Sequence, residues 1–143
     1  MRQVKNRASL HFVWATYDRM PWLKPEIAPT VYRYIETVAC NDGCDVLAVG
    51  GMADHIHLLV CMSTTVSFAR LMQHVKVGSS HLMRHELAPE AFFKWQGSYG
   101  VFSVRPSDKK RVVAYIENQE LHHRNGSLWT GGEPDMEDPT DPQ

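Results

Sequence analysis

Asp54-His55-Ile56-His57-Leu58-Leu59-Val60-Cys61 is the stretch from which the fold can be read. Side chains alternate across a strand, so Ile56, Leu58 and Val60 share one face while His55 and His57 share the other. The apolar face needs a packed layer beneath it, and the histidine face reads as half-exposed. A strand over His55 to Cys61 is therefore one member of a sheet with helices behind it.

The flanking sequence supplies the other members. Leu10-His11-Phe12-Val13-Trp14-Ala15-Thr16 reads as a buried first strand, closed by the region of Pro21 and Pro25. A helix is expected from about Glu26 to Asn41, with Ile27, Val31, Tyr34, Ile35 and Val38 on its inner face. Asn41-Asp42-Gly43 is a turn, Val46 to Val49 a second strand, and Gly50-Gly51 a break before the histidine strand. Phe68, Leu71, Met72, Val75, Leu82 and Met83 recur at helical spacing within Thr65 to Leu87, weakened at Gly78-Ser79-Ser80. Phe93 to Val104 reads as a fourth strand, bent at Gly97 and Gly100. Ser107 and Asp108 are cap candidates for a last helix reaching about Arg124. The order β-α-β-β-α-β-α is the α+β, ferredoxin-like split βαβ sandwich. It predicts a four- to five-stranded antiparallel sheet with one extra C-terminal helix.

Composition bounds the function. The 143 residues suit a single domain, 43% hydrophobic and 22% charged, with no apolar run long enough to span a bilayer. Three cysteines, Cys40, Cys44 and Cys61, make no disulfide framework, which with the absence of a signal-peptide pattern points to the cytoplasm. Cys40 and Cys44 lack two further zinc ligands at recognisable spacing. From Glu133 onward lie five acids and no base, leaving 15 bases against 11 acids, a net of +4, on the rest. Residues 1–125 are thus expected to form the domain, and 126–143 an acidic, flexible tail. Charge permits nucleic acid as a partner without identifying it.

Two segments carry chemistry. His55 and His57 offer two imidazoles to a divalent metal; the alternative is two polar residues on the wet side of a half-buried strand. On the last helix, Val112, Val113 and Ile116 form an apolar sector in which His123 also falls. Tyr115, Gln119 and His122 form an arc beside it. Tyr115 and Gln119, four residues apart, meet on that arc. A phenol is a weak nucleophile at neutral pH, and a metal that polarises and orients a phosphate would supply the help it needs.

Taken in order, four segments resemble a known family. They are His11 to Thr16, Gly50-Gly51 through Asp54 to Val60, Trp95 to Val104, and Tyr115-Ile116-Glu117-Asn118-Gln119-Glu120-Leu121-His122-His123-Arg124. The chain resembles, over about residues 8–125, the single-tyrosine HUH-class transposases of small bacterial insertion sequences and the related REP-associated tyrosine transposases. The resemblance implies that His55, His57 and Gln119 hold Mg²⁺ or Mn²⁺ and that Tyr115 attacks single-stranded DNA, leaving a 5′-phosphotyrosine and a 3′-hydroxyl. It also implies recognition of imperfect DNA hairpins and a homodimer with shared active sites. The acidic, Pro-containing stretch after Gly131-Gly132 departs from the more helical continuation of many relatives.

Other residues carry secondary expectations. Arg105, Lys109, Lys110 and Arg111 cluster before the tyrosine and could hold the DNA backbone. Tyr99, between two glycines, is a rival nucleophile or a packed aromatic. Arg70, Lys76 and Arg84 read as solvated surface or phosphate contacts, and Trp14 and Trp95 as core. The competing function is a non-catalytic or domesticated protein that binds single-stranded nucleic-acid hairpins. Such modules usually expose aromatics, rather than histidines, on their central strands.

Overall fold

A computed structural model describes residues 8–119. β1 (Ser9–Ala15) pairs antiparallel with both β3 (His55–Cys61) and β4 (Gly100–Val104), and β2 (Asp45–Met52) pairs antiparallel with β3. The sheet order is β2-β3-β1-β4. Two helices, α1 (Ala28–Asn41) and α2 (Phe68–Leu82), and a third, α3 (Lys109–Glu117), complete the split βαβ arrangement with its extra helix. Among the described residues the sheet has four strands, and no helix is long and apolar enough to cross a membrane.

Strand alternation divides the interior in two. Phe12 and Trp14 of β1 and Ile56, Leu58 and Val60 of β3 join Val31, Ile35, Leu71, Met72 and Val75 of α1 and α2 in the larger core. On the other face Ala48 and Leu59 meet Val112, Tyr115 and Ile116 of α3. This second cluster is small, so α3 is held by few groups; each fully buried Val or Ile contributes about 1.5–3 kcal/mol. The histidine face is not wet, as the pattern suggested. His55 and His57 are only 6% and 3% exposed.

Several boundaries differ from the sequence reading for local reasons. Gly50-Gly51 does not break the sheet: β2 runs through both to Met52, opposite His57, Ile56 and His55. A methyl group on Gly50 would lie 2.6 Å from the carbonyl oxygen of Ile116, so the glycine is where α3 approaches the sheet. Gly78 does not interrupt α2 either; the phenol of Tyr34 lies against it where α1 and α2 cross. Ser67 caps α2 by accepting from the Arg70 N–H, and the helix widens into a π-turn over Met83–Leu87.

β4 begins only at Gly100, because Trp95 makes a single bridge to Thr16 and then buries against Trp14, its indole N–H donating to Ser79 Oγ. α3 ends at Glu117, where Asn118 leaves helical geometry at φ −109° and ψ 25°. The Arg124 boundary, His122, His123 and the tail 126–143 lie outside the described residues.

Candidate active site

The register places the chemistry. His57 lies in one row across the sheet with Gly50 on one side and Val13 on the other, and His55 lies in the next with Met52 and Ala15. α3 crosses above and brings Tyr115 edge-on to His57, ring centroids 5.7 Å apart and planes at 89°. Just past the end of the helix, Gln119 Oε1 lies 2.8 Å from His55 Nε2. The four residues singled out in the sequence are therefore adjacent. Tyr115 is 7% and Gln119 1% exposed.

Hydrogen bonding constrains what can occupy this site. Asp54 Oδ1 lies 2.8 Å from His55 Nδ1, so the carboxylate fixes a proton there and leaves Nε2 to face Gln119. Gln119 presents its oxygen to that nitrogen, while its own amide nitrogen is buried with no partner among the described residues. A lone pair facing a carbonyl oxygen at 2.8 Å is repulsive unless a cation or a proton lies between them. Turning the amide over would pair the groups directly; the oxygen-inward orientation is the one a metal needs. Among the described residues no three His, Cys, Asp or Glu side chains gather to hold a metal, so a metal held by His55 and His57 would take its third protein donor from another type of side chain, such as the Gln119 amide. Two imidazoles and an amide oxygen fit Mn²⁺, and Mg²⁺ with further oxygen ligands.

Supporting residues that the sequence reading passed over surround this set. Arg19 Nε bonds Asp54 Oδ2 at 3.2 Å, and it reaches there from a turn in which Asp18 and Arg19 both have positive φ, 55° and 53°. Such backbone is costly and persists where surroundings over-determine it. Burial alone would raise the Asp54 pKa, but the hydrogen bond and charge of His55, with Arg19, outweigh it and hold the carboxyl at about 2. That is below its ordinary 3.8, so Asp54 contributes stability above pH 3.8 that fades as pH falls towards 2. Asp54→Asn is accordingly expected to lower the melting temperature at pH 7, and the deficit to shrink below pH 3, in parallel thermal scans. His11, 1% exposed, places Nε2 2.9 Å from His57 Nδ1, and burial pushes its pKa down to about 3. The available signal was a polar residue inside an otherwise apolar first strand.

The remaining candidates sort by location. Arg105 and Arg111 both bond Asp108, at 3.1 and 2.6 Å, in the turn that starts α3. Asp108 thus occupies the N-cap position but spends its carboxylate on the arginines rather than on the helix N–H groups. Lys109 and Lys110 begin the same helix, and Arg111 lies one turn before Tyr115. Tyr99 packs on Phe12, centroids 6.3 Å apart, on the face of the sheet away from His55 and His57. It is a packing residue. Lys76 is tied to the carbonyls of Gln96 and Ser98, and Arg84 to Ser80 Oγ, so both serve local structure. Cys40 is exposed, Cys44 buried and Cys61 half-buried.

Fold and site together define a ferredoxin-like domain with a tyrosine, two histidines and an amide gathered beneath its last helix. The chain belongs to the IS200-like transposase family, whose model matches residues 4–119. It is 24% identical over 114 residues to the ISDra2 transposase TnpA of Deinococcus radiodurans, covering 76% of this chain and 81% of that protein. A solved transposase structure from Deinococcus radiodurans superposes with a TM-score of 0.65 at 24% identity, over 83% of this chain and 98% of the other. A REP-associated tyrosine transposase bound to a REP hairpin gives the same TM-score at 16% identity, over 90% and 74%.

Proposed function

We propose that this transposase cleaves and rejoins single-stranded DNA at hairpins near the ends of an element, with Tyr115 as the nucleophile. The observation that carries the reading is the convergence of Tyr115 on His57 and of Gln119 on His55 beneath one short helix. Tyr115 Oη attacks the scissile phosphorus and loses its proton; the P–O3′ bond breaks, and the departing oxygen takes up a proton as a 3′-hydroxyl. Attack by a second 3′-hydroxyl reverses the step, frees the phenol and joins new strands, so no external energy source is required. Mg²⁺ or Mn²⁺ held by His55, His57 and Gln119 would act as Lewis acid and template for the phosphate, keeping its full charge because all three donors are neutral.

The protein groups supply positioning. Asp54 and Arg19 hold the His55 ring, and the seat of α3 on β2 and β3 holds Tyr115 in place. Arg105, Lys109, Lys110 and Arg111, at the start of the same helix, are the proposed grip on the DNA backbone. The homodimer with shared active sites that the resemblance implies belongs to the same proposal. Its sharing of active sites is tested by mixing Tyr115→Phe protein with His55→Ala/His57→Ala protein. Only exchanged helices would restore activity.

The reading is tested with full-length protein, Mg²⁺ or Mn²⁺, and labelled single-stranded oligonucleotides tiling both flanks of its own gene. An SDS-resistant protein–DNA band is expected, needing metal and single-stranded DNA. In the His55→Ala/His57→Ala variant it should fall by about 10³-fold, the loss of several kcal/mol of transition-state stabilisation. Tight hairpin binding with no adduct under any condition would instead establish the binding-only reading.

A further inference from the structure

Among the described residues three imidazoles lie on the α3 face of the sheet, and His55 and His57 belong to the proposed donor set. The third, His11, sits on β1 between Leu59 and Phe102 in register, its ring centroid 5.1 Å from that of His57. We propose that His11 is a positioning residue for the metal site: its Nε2 accepts the Nδ1–H of His57, which leaves Nε2 of His57 as the ligand nitrogen. The inference rests on the metal-site reading above and extends it to a residue outside the donor set.

A hydrogen bond between two neutral imidazoles needs one N–H and one lone pair, so the 2.9 Å contact allows two arrangements. If His11 donates, His57 carries its proton on Nε2 and cannot bind a cation there. If His57 donates, its Nε2 carries the lone pair that a ligand nitrogen needs. Metal binding at that nitrogen therefore requires His11 as the acceptor, and the bond also fixes the ring angle.

Burial explains why the acceptor is an imidazole. At the sheet end His55 can use a carboxylate, because Asp54 keeps 30% side-chain exposure and has Arg19 beside it. At 1% exposure between Leu59 and Phe102, a carboxylate in place of His11 would be a buried charge with no compensating cation described beside it. A neutral ring provides a lone pair without that cost. Nor does the fold need a polar group there, since an apolar side chain would suit the same position.

The test uses full-length protein without DNA. Mn²⁺ affinity, followed by electron paramagnetic resonance, is compared for wild type, His11→Phe and His11→Gln. His11→Phe should keep the fold and bind Mn²⁺ about 10–100-fold more weakly. His11→Gln, whose amide oxygen can take the place of Nε2 as acceptor, should bind close to wild type. Nitrogen NMR of Mg²⁺-loaded wild type should show His57 protonated on Nδ1, a readout that does not depend on any variant folding. A proton on Nε2 of His57, or wild-type Mn²⁺ affinity in folded His11→Phe, overturns the role of His11 alone. Absence of Mn²⁺ binding in wild type overturns the metal-site reading and this inference with it.

Discussion

Tyr115→Phe is expected to abolish the covalent protein–DNA adduct while leaving the protein folded and able to hold both metal and hairpin DNA. The substitution removes one oxygen from a residue that is 7% exposed and keeps the ring that packs on His57 and within the Leu59–Val112–Ile116 cluster. The hydrophobic seat of α3 is therefore retained, and Mn²⁺ affinity should be unchanged, since the phenol is not among the proposed donors. Without a nucleophilic oxygen there is no P–O bond to form, so the adduct should fall at least about 10³-fold, to background. Tyr99→Phe is the matched control. Tyr99 packs against Phe12 beneath the opposite face of the sheet, and the loss of its hydroxyl should leave adduct yield intact. An adduct that survives in Tyr115→Phe and disappears in Tyr99→Phe would reverse the assignment.

What the sequence disclosed follows from the kinds of signal it carries. Alternation in His55 to Cys61 and the apolar run of the first strand identified the two central strands, because period-2 patterning is a local property. Helical spacing likewise placed α3 so that Tyr115 and Gln119 shared an arc. Burial was not legible in the same way. The histidine face looked half-exposed because nothing local to His55 or His57 reports that a helix some sixty residues later lies over it. The two glycines before the histidine strand were misread for a related reason. Gly50 resembles a strand breaker in isolation, and only the tertiary approach of the Ile116 carbonyl shows it to be a space reserved for another backbone.

Supporting residues were the hardest to find. His11 and Asp54 stand within the segments that carried the resemblance, yet nothing in either segment says that one ring nitrogen or one carboxylate oxygen meets a proposed ligand. Arg19 had no signal at all; its part depends on two consecutive positive-φ residues. Asp tolerates that conformation better than most residues, but two in succession with Arg as the second are uncommon, so no pattern rule would have proposed it. These residues are recognised only once the strands are registered, because their roles belong to pairs of positions rather than to motifs.

The seat of α3 gives the second large effect. Gly50→Ala is expected to lower adduct yield by about 10²-fold, although the position holds no chemistry, because misplacing a reacting group by about 1 Å can cost that much. The added Cβ would stand 2.6 Å from the Ile116 carbonyl oxygen and 3.3 Å from its side chain. Neither neighbour can swing aside as a flexible side-chain tip could. Gly50 lies directly opposite His57 in the stretch of β2, Ala48 to Met52, that pairs with β3 without a register shift, so the sheet is the less mobile partner. α3, nine residues long and seated on a small apolar cluster, is the part that must shift, and it carries Tyr115. Overpacking of this kind costs about 1–3 kcal/mol, a moderate loss for a domain whose larger core lies on the other face of the sheet. The expected signature is a modest fall in melting temperature with a much larger fall in adduct yield. Gly97→Ala, where an added Cβ would meet nothing within 4 Å, should change neither. Equal adduct yields for Gly50→Ala and wild type would mean that the tyrosine reaches its target from a helix position other than the one packed on β2. In that case Gly50 would bear on the packing of this structure and not on its chemistry.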